Sequence, residues 1–224
     1  MKNIVQIKID REELLPIRPI LKTWTELVTT YSDKFEQSGA CYWLNERANI
    51  GILAAAAWKA RGEWLALEEF STYKHGEDAV LKKGRCDLLI ASFDRDLSFA
   101  VEAKQVWQGV GDLVGDKYQR VREGMKRAVA DASKLHKTEA KIRVGGCFVV
   151  PSIPPSQRDR PGNRKALSEW LKNLQVEARA DAIASVFPAS SEHLEASSGY
   201  IYPGVSLLLK VRMRAIRARR TEEG

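Results

Sequence analysis

The alternation of apolar and polar residues predicts a series of helices and strands that begins with an edge strand. Residues 2–9 alternate polar and apolar side chains with the two-residue period of a strand. Glu12–Phe35 then carries apolar residues at helical intervals, and a second helical segment runs from Cys41 to about Ala60. Two-residue alternation returns in Glu63–Lys74, which predicts the first strand of the central region.

The middle of the chain predicts a hairpin of two strands. The run from Arg85 to Phe93 is mainly apolar around Asp87. Leu97–Trp107 alternates, so that Glu102 and Lys104 share one face while the apolar residues share the other. A tight polar turn joins the two strands. Together with the strand before it, the hairpin forms a predicted three-stranded meander.

The rest of the chain completes an α/β pattern, in which the order from residue 41 to residue 153 is helix, three strands, helix, strand. We therefore predict a mixed central sheet flanked by helices, in one domain over residues 1–224. Its core lies at about 41–153, with an N-terminal helical extension at 1–40 and a C-terminal extension of helix and strands at 154–224. The other predicted elements are a polar loop at His75–Gly84, a helix at Asp112–Lys137, a strand buried on both faces at Lys141–Ile153, a helix at Lys165–Ala180, and strands at Asp181–Pro188 and Tyr200–Met213.

The register of the hairpin decides which of its side chains meet. An even-length turn about Asp94-Arg95 makes paired positions add up to 189, so that Asp87 lies opposite Glu102. Their Cβ atoms would then be roughly 5 Å apart. An odd-length loop or a bulge would turn Asp87 to the other face. Two facing carboxylates repel each other and need a counter-charge, which a divalent cation such as Mg²⁺ supplies.

An Asp in one strand followed by Glu-x-Lys in the next, here Asp87 and Glu102-Ala103-Lys104, resembles the PD-(D/E)xK nuclease superfamily. Gln105 extends the resemblance, since some branches carry Gln after the Lys. Cys86 precedes Asp87 in place of Pro, at a position that the superfamily varies freely. The order of elements over residues 41–153 is also similar to the core of that superfamily. The resemblance therefore predicts a restriction endonuclease-like fold.

The resemblance implies a metal-dependent nuclease that hydrolyses phosphodiester bonds of DNA. By this analogy Asp87 and Glu102 bind Mg²⁺, for which Mn²⁺ can substitute. Lys104 helps to orient or deprotonate the attacking water. Glu46, on the helix before the first strand, and the backbone carbonyl of Ala103 are further metal ligands that the resemblance implies.

Plainer interpretations of the same residues stay open. The Glu-x-Lys pair can be an ordinary ion pair on a solvated strand face, and Glu46 can pair with Arg47 or Arg61 at the surface. Gln105 points to the opposite face of an ideal strand, so it supports the site only if the strand twists or bulges, and is otherwise an amide on the sheet face. The alternative function is a non-cleaving nucleic-acid-binding or complex-forming module that keeps the nuclease fold.

Composition favours a nucleic-acid partner. The 224 residues include 36 Lys+Arg against 29 Asp+Glu, a formal net charge of +7, which suits DNA or, as the alternative, RNA. A homodimer or a partner subunit that supplies specificity would suit double-strand cutting. The basic segment 210–220 either grips phosphates or solubilises an edge strand. We predict nucleic-acid contacts at four basic residues: Arg85, Lys117, Arg120 and Arg122.

Several other chemistries are disfavoured by the sequence. The three cysteines form no CxxC pair, which indicates buried thiols in a reducing compartment. The three histidines lack the spacing of a helical zinc pair, and no P-loop or GxSxG motif is present. No apolar run approaches the ~20 residues that a membrane span needs, and the N-terminus has no continuous apolar core. We therefore predict a cytoplasmic protein without a membrane partner.

Overall fold

The computed structural model describes residues 2–35, 39–75, 80–110, 115–157 and 163–212. Within these ranges the chain is an α/β protein with one mixed sheet. Numbered along the chain, the strands are β1 Ile4–Ile9, β2 Leu65–His75, β3 Leu81–Ser92, β4 Leu97–Gly109, β5 Ile142–Ser152, β6 Ala182–Phe187 and β7 Val205–Val211. The helices are α1 Arg18–Phe35, α2 Cys41–Leu44, α3 Glu46–Lys59, α4 Gln119–Lys134 and α5 Asn163–Glu177.

The strand order β1-β6-β7-β5-β4-β3-β2 places β5 in the middle of the sheet and β1 and β2 at its edges. β4 and β5 pair in parallel, whereas the other neighbouring strands pair antiparallel. A parallel pair needs a crossover connection, which α4 provides between β4 and β5. Nearly all of β5 is buried, as expected for a strand covered on both faces.

Helices cover both faces of the sheet. α1, α2 and α3 pack on one face, where Trp24 and Phe148 belong to the same core. α4 and α5 pack on the other face, where Met125 and Val149 share a second core. Phe148 and Val149 are neighbours on β5 and point to opposite cores, since strand side chains alternate.

Two glycines allow α4 to lie unusually close to the sheet. A Cβ on Gly124 of α4 would lie 2.7 Å from Val106 Cγ1 and 2.9 Å from Cys147 Sγ. A Cβ on Gly145 of β5 would lie 2.6 Å from the backbone nitrogen of Val129. Any larger residue at these positions would push the helix outward. The close packing therefore fixes α4 against β4 and β5.

The structure confirms the edge strand, the meander and the order helix, three strands, helix, strand from residue 41 to residue 153. The single helix predicted from Cys41 to Ala60 was wrong, because the backbone is extended at Asn45 and the Asn45 side chain caps α3 by accepting from Ala48 N at 2.8 Å. The predicted loop at His75–Gly84 is shorter, because β2 and β3 extend into it. The predicted basic segment 210–220 lies outside the described residues from 213 onward.

The cysteines are free and buried, as predicted: Cys41, Cys86 and Cys147. Burial raises the pKa of the Cys86 and Cys147 thiols to about 12, so they stay protonated at neutral pH. In the described part of the chain, no helix combines the length and the apolar character that crossing a bilayer requires.

Candidate active site

A fork between β3 and β4 brings the predicted residues into one region. The ladder between these strands confirms the predicted register about Asp94-Arg95 and ends at Leu88↔Val101. Beyond that pair, β3 stays paired with β2 and β4 stays paired with β5. Asp87 and Glu102 are the next residues in register. They are therefore not ladder partners but lie where the two strands separate.

A kink in β3 accompanies the fork. The β2–β3 register omits the pair Glu69 and Asp87, and Glu69 has a φ of +51°, which is uncommon for a residue other than glycine. Residues two apart in a regular strand face the same way. Here Cys86 packs in a cluster with Leu135, whereas Leu88 packs in the core under α1 and α3. Asp87 thus lies at a bulge-like irregularity, a feature that re-aims side chains.

Two carboxylates accept the backbone N–H groups that the fork frees on β4. Asp87 Oδ2 accepts from Ala103 N at 2.7 Å. Glu46 Oε2, at the first residue of α3, accepts from Gln105 N at 2.9 Å. Burial raises the pKa of Glu46, and the negative charge of Asp87 adds to this, while the positive charge of Lys104 opposes it. Carboxylates from both β3 and α3 therefore line the fork.

Glu102 is almost completely buried, with its side chain 3% exposed. Lys74 Nζ lies 2.7 Å from Glu102 Oε1 as an ion-pair partner. Lys74 is thus the partner of Oε1, although the contact lacks the angles of a regular hydrogen bond and no other described donor reaches this atom. Burial raises the pKa of Glu102 to about 7, against the opposing effect of Lys74 and with the negative charge of Asp87 adding to the rise. Glu102 therefore changes charge near neutral pH.

Lys74 reaches Glu102 from two strands away. β3 lies between β2, which carries Lys74, and β4, which carries Glu102. Gly84 on β3 leaves the space for this, because a Cβ at that position would lie 3.1 Å from Lys74 Cδ. A side chain at position 84 would require Lys74 to shift by a few tenths of an ångström, so the glycine favours this path of Lys74 across β3.

Lys104 lies on the α4 face of β4. Its Nζ is 3.0 Å from Asp131 Oδ2 on α4 and donates to the Ala103 carbonyl at 2.9 Å. Burial lowers the pKa of Lys104, but the hydrogen bond to Asp131 and the charges of Glu46, Asp131 and Asp87 outweigh this effect and raise it. Lys104 is therefore a stable cation beside the fork.

Gln105 lies on the opposite face of β4, toward α3. Its Oε1 accepts from Asn49 Nδ2 at 2.8 Å, and its Nε2 donates to the Tyr42 carbonyl at 3.2 Å. The side chain is thus engaged away from Lys104. Of the two interpretations of Gln105, the structure favours the sheet-face amide.

The basic residues predicted to contact nucleic acid lie in two places. Arg85, on β3, pairs with Glu69 at 3.3 Å. Lys117, Arg120 and Arg122 lie at or just before the N-terminal end of α4. Arg122 is held by carboxylates on both sides, whereas Arg120 donates to a backbone carbonyl of β4 at 3.2 Å. Arg120 and Arg122 are therefore fixed in position by the fold.

Three residues beside the fork were not predicted from the sequence: Lys74, Gly84 and Asp131. Their roles depend on contacts between elements that are far apart in the sequence, so no spacing pattern marks them. Asp131 left one signal, since it stands beside the small residues Ala128 and Ala132 that α4 buries against the sheet. A charge in such a position needs a partner on the sheet.

The donor set suits a hard divalent cation. Asp87 and Glu102 supply carboxylate oxygens, and Glu102 Oε1 has no hydrogen-bond donor. Arg47, one alternative partner for Glu46, pairs with Glu69 at 2.9 Å instead. Among the residues that the structure describes, no group of three or more His, Cys, Asp or Glu side chains has the arrangement of a metal site. A pair of carboxylates completed by water is nevertheless common for Mg²⁺.

Comparison with known proteins leaves the family open. No family model matches the chain, no curated protein matches its sequence, and no solved structure matches its fold. The resemblance to the PD-(D/E)xK superfamily therefore rests on Asp87, on Glu102-Ala103-Lys104 and on the order of the elements.

Proposed function

We propose that the protein is a Mg²⁺-dependent nuclease that hydrolyses phosphodiester bonds of DNA, built on a restriction endonuclease-like core. The observation that carries the proposal is the fork, where four charged side chains lie close together. The charge of Asp87 contributes there to the raised pKa values of Glu46, Glu102 and Lys104. Carboxylates gathered where a sheet opens repel each other and favour a bound cation. Phosphodiester hydrolysis uses such a set of groups.

The residues of the fork divide the chemistry between them. Asp87 and Glu102 are the carboxylates that would hold Mg²⁺, which polarises the attacking water and neutralises phosphate charge when bound. Lys104 acts as a cation that stabilises the negative charge developing on the phosphate, since its pKa is raised. The raised pKa of Glu46 suits it to accept the proton of the attacking water.

Lys74 adds a condition to this assignment. Its Nζ lies 2.7 Å from Glu102 Oε1, so a metal ion bound by Glu102 has to share the carboxylate with Lys74 or replace it. Lys74 is 24% exposed, so its ammonium group can swing toward solvent while Glu102 stays buried. In this proposal Lys74 and Mg²⁺ are therefore competing counter-charges for Glu102.

A non-cleaving nucleic-acid-binding module with the same fold is the second candidate. The observation that favours it is that Glu102 and Lys104 already have counter-charges from the protein, Lys74 and Asp131. A structural network of this kind needs no metal. The two candidates differ in whether the fork cleaves its ligand.

A cleavage assay separates them. The purified protein is incubated with linear, nicked and supercoiled DNA and with RNA, in Mg²⁺, in Mn²⁺ and in EDTA. Asp87→Ala and Lys104→Ala should abolish cleavage, whereas Glu123→Ala on the exposed side of α4 should leave it unchanged. Unchanged activity in both site variants would overturn the assigned site. Salt-sensitive binding without cleavage of any substrate would favour the second candidate.

A further inference from the structure

A pocket lies at the C-terminal end of β4, which is the end distant from the hairpin turn. Its lining side chains make it a second candidate binding site. It has a volume of about 260 Å³. Side chains from the ends of β4 and β5, from the segment that leads into α4 and from the segment before β7 line it. The lining side chains that matter for recognition are Gln108, Asp116, Lys117, Arg120, Ser152 and Tyr200.

Gln108 gives this pocket an unused hydrogen-bond acceptor. The residue is 6% exposed, and its Nε2 donates to the Gly109 carbonyl at 3.3 Å. Its Oε1 is buried and has no hydrogen-bond partner among the described residues. Buried carbonyl oxygens are normally paired, so within the described residues this atom lacks the N–H or O–H donor that its burial favours.

The same pocket carries positive charge. Lys117 makes no side-chain ion pair within the described ranges, and the Arg120 guanidinium is held at the rim by donating to the Trp107 carbonyl at 3.2 Å. Among the described lining residues Asp116 is the one carboxylate, and it shares Arg122 with Glu177, so two lining cations stand against one lining anion. The net charge of the lining therefore favours an anion such as a phosphate.

Tyr200 adds a flat aromatic surface. It is 39% exposed, and its ring stacks on Tyr202 with the centroids 6.4 Å apart. An exposed tyrosine ring supported from below is a suitable platform for a nucleobase. An acceptor for a base amino group, cations for a phosphate and an aromatic platform together match one class of ligand, a nucleotide.

The pocket also lies on the same side of the sheet as the fork. Val106 packs against the α4 face, and Lys104 and Gln108 flank it at two residues on either side. Four residues of strand separate Lys104 from Gln108, which corresponds to about 13 Å. A duplex strand rises about 3.4 Å per nucleotide, so the two positions are no more than about four nucleotides apart on one strand.

We propose that this pocket binds one nucleotide of the substrate strand beside the cleavage site, with its phosphate on Lys117 and Arg120, its base on Tyr200 and a base amino group on Gln108 Oε1. The position within a substrate rests on the proposed nuclease function. The binding of a free nucleotide does not, because none of the fork residues lines the pocket.

Calorimetric titration of the full chain with dAMP and dCMP in EDTA tests the pocket alone. Both bases carry the exocyclic amino group that Gln108 needs. We expect saturable binding, weakened about tenfold by Lys117→Ala and by Gln108→Leu, since each change removes one ligand contact. Lys126→Ala removes the same charge from α4 without touching the pocket and should change the affinity less than twofold. Asp87→Ala should bind as the unmodified chain does.

Further titrations distinguish binding of the phosphate from binding of the base. They also distinguish the pocket proposal from the nuclease proposal. Inorganic phosphate should bind more weakly than dAMP and lose its binding in Lys117→Ala only, whereas deoxyadenosine should respond to Gln108→Leu only. No nucleotide binding, or equal weakening by Lys126→Ala, would overturn the pocket proposal even if the chain cleaves DNA. Nucleotide binding in a chain that cleaves nothing would leave the pocket standing and remove the nuclease.

Discussion

The polar side chains on the two faces of β4 differ in their partners. On the face toward α3, Gln105 uses both ends of its amide in hydrogen bonds to Asn49 and Tyr42. On the face toward α4, Glu102 and Lys104 are charged and rely on single counter-charges, and Glu102 Oε1 has no hydrogen-bond donor. Within the described residues of this amide network, Asn49 Oδ1 is the atom without a hydrogen-bond partner. The charged face is left open to an additional ligand.

This difference separates stability from chemistry within one strand. The neutral hydrogen bonds of the Gln105 side chain help to hold α2 and α3 on the sheet and do not change with pH, unlike the bond that Glu46 accepts from Gln105 N. Buried charges with imperfect partners destabilise the fold unless something else binds them. β4 can therefore keep its position through the hydrogen bonds on its α3 face while Glu102 on its α4 face binds a proton or a cation. Variants on each face should therefore differ in kind.

The largest expected effect is on cleavage. Glu102→Gln keeps the size of the side chain but removes the charge that would hold Mg²⁺, so we expect the cleavage rate to fall by about 10²- to 10⁴-fold. Initial rates on supercoiled DNA in Mg²⁺ measure this. Gln105→Leu, on the other face, should retain its rate to within about threefold. Equal losses in the two variants would remove the distinction between the faces.

The pH dependence of stability gives the next largest effect. Glu102 has a pKa of about 7 in the folded chain against an ordinary value of 4.5. A carboxyl group with a raised folded pKa stabilises fully below its unfolded pKa, and that contribution is lost as pH rises through the folded pKa. In EDTA we therefore expect the free energy of unfolding to fall by about 3 kcal/mol from pH 4.5 to above pH 7, relative to Glu102→Gln.

Urea unfolding of both chains at a series of pH values measures this difference. Titrating groups other than Glu102 are common to the two chains, so the difference isolates this carboxyl group. A difference in unfolding free energy that stays constant with pH would mean that Glu102 does not change its charge over this range, as the neutral Gln105 does not.

Lys74 gives a smaller effect on stability, and the size of that effect depends on the metal. Lys74→Met leaves buried Glu102 without its counter-charge, so in EDTA above pH 7 we expect a loss of about 2 kcal/mol, reduced from the value for a fully buried pair because Lys74 is partly exposed. Mg²⁺ should restore more stability to this variant than to the unmodified chain, since it replaces the missing charge. Lys141→Met breaks an exposed pair with Asp96 and should show neither effect. Mg²⁺ that stabilises none of the chains would argue against a metal site.

Local patterns in the sequence predicted the fold around the site but not its electrostatic partners. The period of Leu97–Trp107 predicted the faces, and the turn about Asp94-Arg95 predicted the register. The end of the ladder at Leu88↔Val101 could not be predicted, because it depends on where β3 follows β2 and β4 follows β5. The role of Lys74 could not be predicted for the same reason, because its ion pair with Glu102 crosses β3 beside Gly84.

The smallest expected effect tests the neutral face itself. Gln105→Leu removes the two hydrogen bonds of the Gln105 amide, while Asn49 Nδ2 still donates to the Tyr42 carbonyl at 3.0 Å. We therefore expect a loss of about 1–2 kcal/mol in unfolding free energy, since each lost bond contributes about 1 kcal/mol. This loss should be the same at pH 5 and at pH 8 and unaffected by Mg²⁺, because no charge on that side chain titrates. Gln105→Glu provides the converse, since a carboxylate beside Glu46 would make the α3 face depend on pH as the α4 face does. If Gln105→Leu instead abolished cleavage while costing little stability, Gln105 would belong to the site after all, and β4 would carry chemistry on both faces.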